Sequence, residues 1–361
     1  MEGLGVSAPL PVSDFWRGRR VLLTGHTGFK GAWTALWLAD MGAIVTGFAL
    51  APETSPALFD QASIGDLMES RIGDLRDRAA VTDAVRDVDP EVVIHMAAQP
   101  IVRRAIADPV ETIAVNVLGT AHLLDALRDA PSLSTVLVVT SDKVYANEGA
   151  GRAFAEGDRL GGKDPYSASK AATELVAQSF AQTYFADRGV RLASARGGNV
   201  IGGGDYAEDR IIPDIVRAAM RDEVPVLRMP NATRPWQHVL DCVCGYLLFA
   251  EALAQARDVP AALNFGPSPG GAATVAELTE TMLTALGQPS HWRPEPQTGS
   301  KEMTALAVDA SLARRTLQWT DRLSGRDLVD WTANWYRSVH QGGVPRDITH
   351  AQIAAYCKLQ A

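Results

Sequence analysis

Residues 20–31 read Arg-Val-Leu-Leu-Thr-Gly-His-Thr-Gly-Phe-Lys-Gly, and this stretch decides the fold. Arg20–Thr24 is a short apolar run with the texture of a buried strand, and residues 32–41 carry the period of a helix. Between the two, Gly25, Gly28 and Gly31 let the backbone turn tightly, let a pyrophosphate approach, and let helix pack on strand. The helix start then offers N–H groups and the positive end of its dipole to an anion. Thr27, Phe29 and Lys30 join the three glycines as candidate cofactor-binding residues. Glycine spacing alone also suits an ordinary strand-to-helix turn, so the surrounding sequence must decide.

Outward from this stretch the same alternation repeats. Residues 43–49, 91–97, Thr135–Ser141 and 190–195 are β-rich runs, separated by helical periods at Arg78–Val88, 109–128 and 165–187. Near-continuous apolar strands alternating with helices predict a doubly wound α/β fold, a Rossmann-like parallel sheet covered on both faces. Beyond Asn199, glycines 202–204 and prolines 213, 225, 230 and 235 break the chain into shorter elements, with one more strand at 262–266. The expected division is a cofactor domain over 1–200, rejoined by 233–266. A smaller mixed substrate domain is expected from 201–232 and 267–361. A length of 361 residues agrees with about two units of ~150 residues each.

Composition excludes several classes. Hydrophobic residues at 47% and charged residues at 21% supply a core, against disordered, collagen-like or coiled-coil readings. Thirty-four basic against 42 acidic residues leave a net charge of −8, which repels phosphate backbones; with no local basic patch, no nucleic-acid partner is expected. There is no run of eighteen apolar residues and no basic-then-apolar leader in residues 1–16, so no membrane partner is expected either. Three cysteines, Cys242, Cys244 and Cys357, are too few for a disulfide framework and suit a reducing, cytoplasmic setting. The seven histidines form no metal-ligand spacing, so no metal is expected. Cys242 and Cys244 read as buried thiols, and Trp33 with Trp37 as helix packing.

Two further segments carry chemistry. Asp164-Pro165-Tyr166-Ser167-Ala168-Ser169-Lys170 starts a helix, with Asp164 as N-cap and Pro165 at the first position. Tyr166 and Lys170, four apart, share one helical face, and an ammonium beside a phenol favours the phenolate that alcohol oxidation requires. Such a pair alone is commonly a solvated surface contact. Ser141-Asp142-Lys143 follows the strand Thr135–Ser141, where the active sites of open α/β sheets collect, although a turn with a surface ion pair has the same letters.

Taken together, these motifs resemble the extended short-chain dehydrogenase/reductase family, the nucleotide-sugar epimerases and dehydratases. Further segments extend the resemblance: His95-Met96-Ala97-Ala98-Gln99, Gln99-Pro100-Ile101-Val102-Arg103-Arg104, Gly198-Asn199-Val200-Ile201, Asp209-Arg210-Ile211-Ile212-Pro213-Asp214 and Arg234-Pro235-Trp236-Gln237-His238. Within the family they look most like the cytidine-linked 4,6-dehydratase branch, where lysine stands at position 143 in place of glutamate. The family's aromatic-rich insertion after this point reads here as residues 145–156, without its tryptophan and tyrosine.

The resemblance implies an NAD-dependent lyase of deoxysugar and lipopolysaccharide biosynthesis, acting on CDP-glucose as a homodimer. Tyr166, activated by Lys170, takes the 4-hydroxyl proton; Ser141 binds the 4-oxygen; Asp142 is the acid at the 6-hydroxyl; Lys143 is the C5 base and needs a lowered pKa. Ala97, Ala98, Gln99, Asp74 and Leu75 join the glycine loop, Tyr166 and Lys170 at the cofactor, and Gln99, Arg103, Asn199, Arg210 and Arg234 hold the substrate. The absence of arginine in residues 48–54 favours NAD over NADP. A 4-epimerase, which needs no elimination pair, and a non-catalytic NAD-binding scaffold are the alternatives.

Overall fold

The structure, a computed structural model, describes residues 8–147, 152–270, 272–295 and 306–360. Part of the loop after Lys143, residues 148–151, therefore lies outside the described residues, as do residues 1–7 of the N-terminal segment. In chain order the strands are β1 Arg20–Thr24, β2 Ile44–Ala49, β3 Glu69–Ile72, β4 Val92–His95, β5 Thr135–Ser141, β6 Arg191–Gly197, β7 Asn199–Ile201, β8 Val226–Leu227, β9 Thr233–His238, β10 Ala262–Phe265, β11 Ala272–Thr274 and β12 Arg293–Pro294. Seven of them form one parallel sheet in the order β10-β6-β5-β4-β1-β2-β3. β1 sits between β2 and β4, so strand order reverses there and a crevice opens beyond the strand ends, the usual ligand position in such sheets.

Alternation along the strands gives each face its own core. Leu22, Val93, Val136 and Val138 join Val81, Val85, Leu123, Leu124 and Phe185 on one side. Val21, Leu23, Ile94, Leu137 and Val139 join Trp33 and Trp37, the helix Val239–Ala254 and the C-terminal helices on the other. Trp33 and Trp37 are helix packing, as expected, and Cys242 and Cys244 are buried free thiols. β3 was invisible to the apolar pattern because it is an edge strand, Glu69-Ser70-Arg71-Ile72, with no buried residue. Of the segment 233–266, the helix Val239–Ala254 and β10 lie on the main sheet, whereas β9 pairs with β7 and β11 in a separate three-stranded sheet.

The segment Pro109–Asp129 is long and apolar enough, by length and composition only, to cross a membrane, a property that a search for unbroken apolar runs misses. Here it packs on the helices Arg78–Val88 and Pro165–Phe180. It contains a π-turn at Ala114–Leu118, an irregularity that often marks functional sites, and the turn carries the buried Asn116.

Candidate active site

The glycine loop is built for close approach. Gly25 has φ +78°, and a Cβ there would lie 2.7 Å from the Ala97 backbone nitrogen; one at Gly31 would lie 2.0 Å from the Gly25 carbonyl oxygen. Gly28 is the N-cap of the helix Phe29–Asp40, and no side chain caps that helix, so its start faces the crevice bare. Thr27 Oγ1 donates to the Leu50 carbonyl at 2.8 Å, fastening the loop to the end of β2. Thr24 Oγ1 meets His95 Nδ1 at 2.7 Å and accepts from the Met96 and Ala97 N–H groups, so β1 and β4 end together with Ala97 against Gly25. A backbone cradle with no side chain filling it and a free helix start suit the diphosphate of a dinucleotide.

The remaining candidates of this region are held by contacts within the chain. Asp74 is engaged by the Arg76 guanidinium at 2.5 Å, which holds its carboxyl below the usual range, and Leu75 is buried with its carbonyl paired to His122 Nδ1. Gln99 is an internal brace: its amide nitrogen donates to Thr112 Oγ1 and its oxygen accepts from the Ile101 N–H, while Asn116 binds its backbone from both sides and reaches Ser169 Oγ at 2.9 Å.

The C-terminal end of β5 brings the catalytic candidates together. Ser141 accepts from the Lys143 N–H and donates to Asp142 Oδ1 at 3.1 Å, so the tight turn Asp142–Val144 is capped by the residue before it. Asp142 is buried; Lys143 Nζ lies 3.5 Å from its Oδ1, while Oδ2 has no partner among the described residues. Tyr166 and Lys170 sit on the helix Pro165–Phe180, whose N-cap Asp164 accepts from the Ser167 N–H.

Two electrostatic expectations are corrected. Burial raises the Tyr166 phenol above its ordinary value, and the groups that oppose this are Lys143, Ser141 and Arg210 rather than Lys170. The Lys170 amine donates to the Val139 carbonyl at 3.2 Å, and burial, reinforced by the charge of Lys30, lowers it to about 7. For Lys143, burial alone would lower the amine, but Asp142 and Tyr166 outweigh it, so its pKa is raised where the elimination role asked for a lowered one.

The substrate candidates separate into two groups. Arg210 pairs with the buried Asp205 at 2.9 Å and is close enough to influence Tyr166, and Arg234 influences Lys143. Asn199 Nδ2 is buried with no partner among the described residues, as suits a ligand contact. Arg103 is exposed and paired to Asp209, which also binds Arg228. Sequence reading missed two features. The Lys30 amine, placed with the phosphate loop, instead feels Cys242, Arg210, Asp142 and Asp205 at the base of this site. Glu174, one turn beyond Lys170 on the helix, is buried against Arg196; the signal for the pair was Arg196, an ionisable residue at the end of an apolar strand.

Comparison with known proteins agrees with this geometry. Residues 21–266 match the model of the NAD dependent epimerase/dehydratase family. The chain is similar to the CDP-glucose 4,6-dehydratase of Salmonella typhimurium, at 42% identity over 90% of this chain and 93% of the relative. A dTDP-glucose 4,6-dehydratase from Streptomyces venezuelae, solved with NAD and TYD bound, is 26% identical with a TM-score of 0.76, covering 91% of this chain and all (100%) of its own. The UDP-glucose 4-epimerase of Thermotoga maritima, at 20% identity and a TM-score of 0.77 over 89% of this chain and 99% of its own, shares the fold. By its sheet, its glycine cradle and its match over most of its length, this chain belongs to the NAD dependent epimerase/dehydratase family.

Proposed function

We propose that the protein dehydrates CDP-glucose to CDP-4-keto-6-deoxyglucose. The observation that carries the reading is the buried Asp142 with Lys143 at 3.5 Å, beside Tyr166. An epimerase acting at C4 needs no second acid–base pair, and the likeness to the Salmonella typhimurium CDP-glucose 4,6-dehydratase supports the same choice.

Gly25, Gly28, Gly31, Thr27, Ala97 and Ala98 would hold NAD+, which when bound supplies a hydride acceptor that returns the hydride to the same substrate. Tyr166 accepts the 4-hydroxyl proton, with Ser141 and the Lys143 charge stabilising the phenolate against burial. The resulting 4-ketone acidifies C5. Elimination then needs a neutral amine and a protonated carboxyl, which is the observed ion pair with its proton moved from Lys143 to Asp142. Covering by substrate favours that neutral form, because it removes the penalty on two buried charges. Lys143 takes the C5 proton as Asp142 gives its own to the departing 6-hydroxyl, releasing water and restoring the ion pair. Arg210, Arg234 and Asn199 would meet the diphosphate and sugar.

The protein acts as a homodimer in this reading. Val110, Ile113 and Leu118 on one helix and Leu175 and Tyr184 on its neighbour are exposed apolar residues, the kind of face that a two-fold copy buries. Leu123, on the same helix, lies in the core. Free thiols throughout the described residues support a reducing, cytoplasmic setting, with the product passing to deoxysugar assembly. Incubating the protein with CDP-glucose and substoichiometric NAD+ tests the activity: a 4-keto-6-deoxy product in excess of NAD+ supports it, and an epimerised sugar or no product contradicts it.

A further inference from the structure

We infer that Glu174 and Arg196 are positioning residues for the elimination half of the reaction, because they clamp the chain on both sides of Ser141, Asp142 and Lys143. The inference rests on the dehydratase reading above. Glu174 and Arg196 are both almost completely buried, Glu174 on the catalytic helix and Arg196 in β6. The guanidinium binds the carboxylate in a fork, with Nε at 2.9 and 3.0 Å and Nη2 at 2.5 Å. Immediately before the catalytic turn, Thr140 Oγ1 donates to Glu174 Oε1 at 2.6 Å. Immediately after it, the Tyr145 hydroxyl accepts from Arg196 Nη1 at 2.8 Å and donates to Asn264 Oδ1 at 2.6 Å.

The same pair reaches the far stem of the following loop. Arg196 Nη1 also donates to the Glu156 carbonyl at 3.1 Å, Asn264 donates to the Phe154 carbonyl at 2.9 Å, and the Tyr145 and Phe154 rings stack at 5.0 Å. Residues 141–144 thus hang between two hydrogen bonds that end on one ion pair. Stability alone gives little reason for such a pair, since buried ion pairs are commonly no better than apolar packing of the same volume. A rigid frame under an acid–base pair gives a reason, because displacement by an ångström can slow a positioned reaction about a hundredfold. Tyr166 and Lys170 are carried by the helix with its Asp164 cap, so the oxidation at C4 depends on the two hydrogen bonds only through the contacts of Ser141 and Lys143 with the phenol, whereas the elimination depends on the acid–base pair itself.

The test uses Thr140→Val with Tyr145→Phe, which removes both hydrogen bonds while leaving the ion pair and nearly all volume in place. On mixing with CDP-glucose, reduction of bound nicotinamide should slow by only about a few-fold, through Ser141 and Lys143 at the phenol, while product formation and deuterium uptake from solvent at C5 fall by roughly 10–100-fold. Enzyme-bound reduced nicotinamide should therefore accumulate, a signature that mere loss of stability does not produce. Equal losses in both half-reactions, or no loss in either, would overturn the inference. Should the double variant not fold, Tyr145→Phe alone keeps the ring stack on Phe154 and carries the same comparison. A wild-type protein that neither reduces nicotinamide nor yields product from CDP-glucose would overturn the dehydratase reading, and the inference with it.

Discussion

Two buried ionic clusters lie against β5, and they are finished differently. At Asp142 and Lys143 the pairing is loose, and Asp142 Oδ2 and the nearby Asn199 Nδ2 meet no partner among the described residues. Behind them, both Glu174 oxygens and all three Arg196 nitrogens are bound, and the bonds continue into Thr140, Tyr145 and the Glu156 carbonyl. Buried polar atoms are normally satisfied, so the first cluster marks where a ligand arrives. The second, complete on its own, is a frame. Ionic character does not separate a reactive site from its scaffold; what separates them is how many hydrogen bonds are left over.

If the loose cluster is the reactive one, its loss should be seen in rate before stability. Tyr166→Phe removes the proton acceptor for the 4-hydroxyl and should lower turnover by ~10²–10⁴-fold, with little nicotinamide reduced on mixing with CDP-glucose. Turnover close to wild type would remove Tyr166 from the chemistry. Asp142→Asn and Lys143→Met should each lower product formation by about 10²-fold, yet still reduce nicotinamide. Exchange of the C5 proton with solvent should survive better in Asp142→Asn than in Lys143→Met, since only the latter lacks the base. Near-normal dehydration in both variants would collapse the distinction between the clusters.

The frame should answer in the opposite order. Arg196→Met leaves Glu174 buried without its partner and should destabilise the fold by about 3–5 kcal/mol in denaturant unfolding. Adding Glu174→Gln should recover most of that loss, and a double variant as unstable as the single one would contradict the frame.

A smaller effect is expected from Glu251, a buried acid far from both clusters. It accepts from the Val12 N–H and the Trp16 indole, and burial pushes its pKa up to about 7. Because the folded value lies above the unfolded one, its contribution is full below the unfolded value of 4.5 and is lost as pH rises through about 7. Glu251→Gln should therefore flatten the fall in stability across that window by roughly 3 kcal/mol, read from unfolding midpoints. An unchanged pH slope would show that the acid is ionised in the fold.

Legibility in the sequence follows the range of the interaction. Gly25, Gly28 and Gly31, the apolar β5 and the Tyr166–Lys170 spacing are local, and each predicted its element and its place. β3 escaped because an edge strand needs no apolar pattern, and β8 and β12 because two residues have no period. The spacing brought Tyr166 and Lys170 to one face but not the direction of the amine, which the Val139 carbonyl captures. Asp142 keeps Lys143 charged, a balance between burial and neighbours that no spacing encodes. Glu174 and Arg196 meet only because β5, β6 and the helix Pro165–Phe180 pack together.

The central claim is an internal transfer: hydride leaves C4 and returns to C6 after water is lost. CDP-glucose carrying deuterium at C4 tests it directly, with NAD+ kept below the amount of sugar. The expected product is a 4-keto-6-deoxy sugar with the deuterium in its C6 methyl group, formed over many turnovers per NAD+. Deuterium retained at C4 of an epimerised sugar, or released into the free reduced cofactor with one NAD+ consumed per sugar, would contradict it.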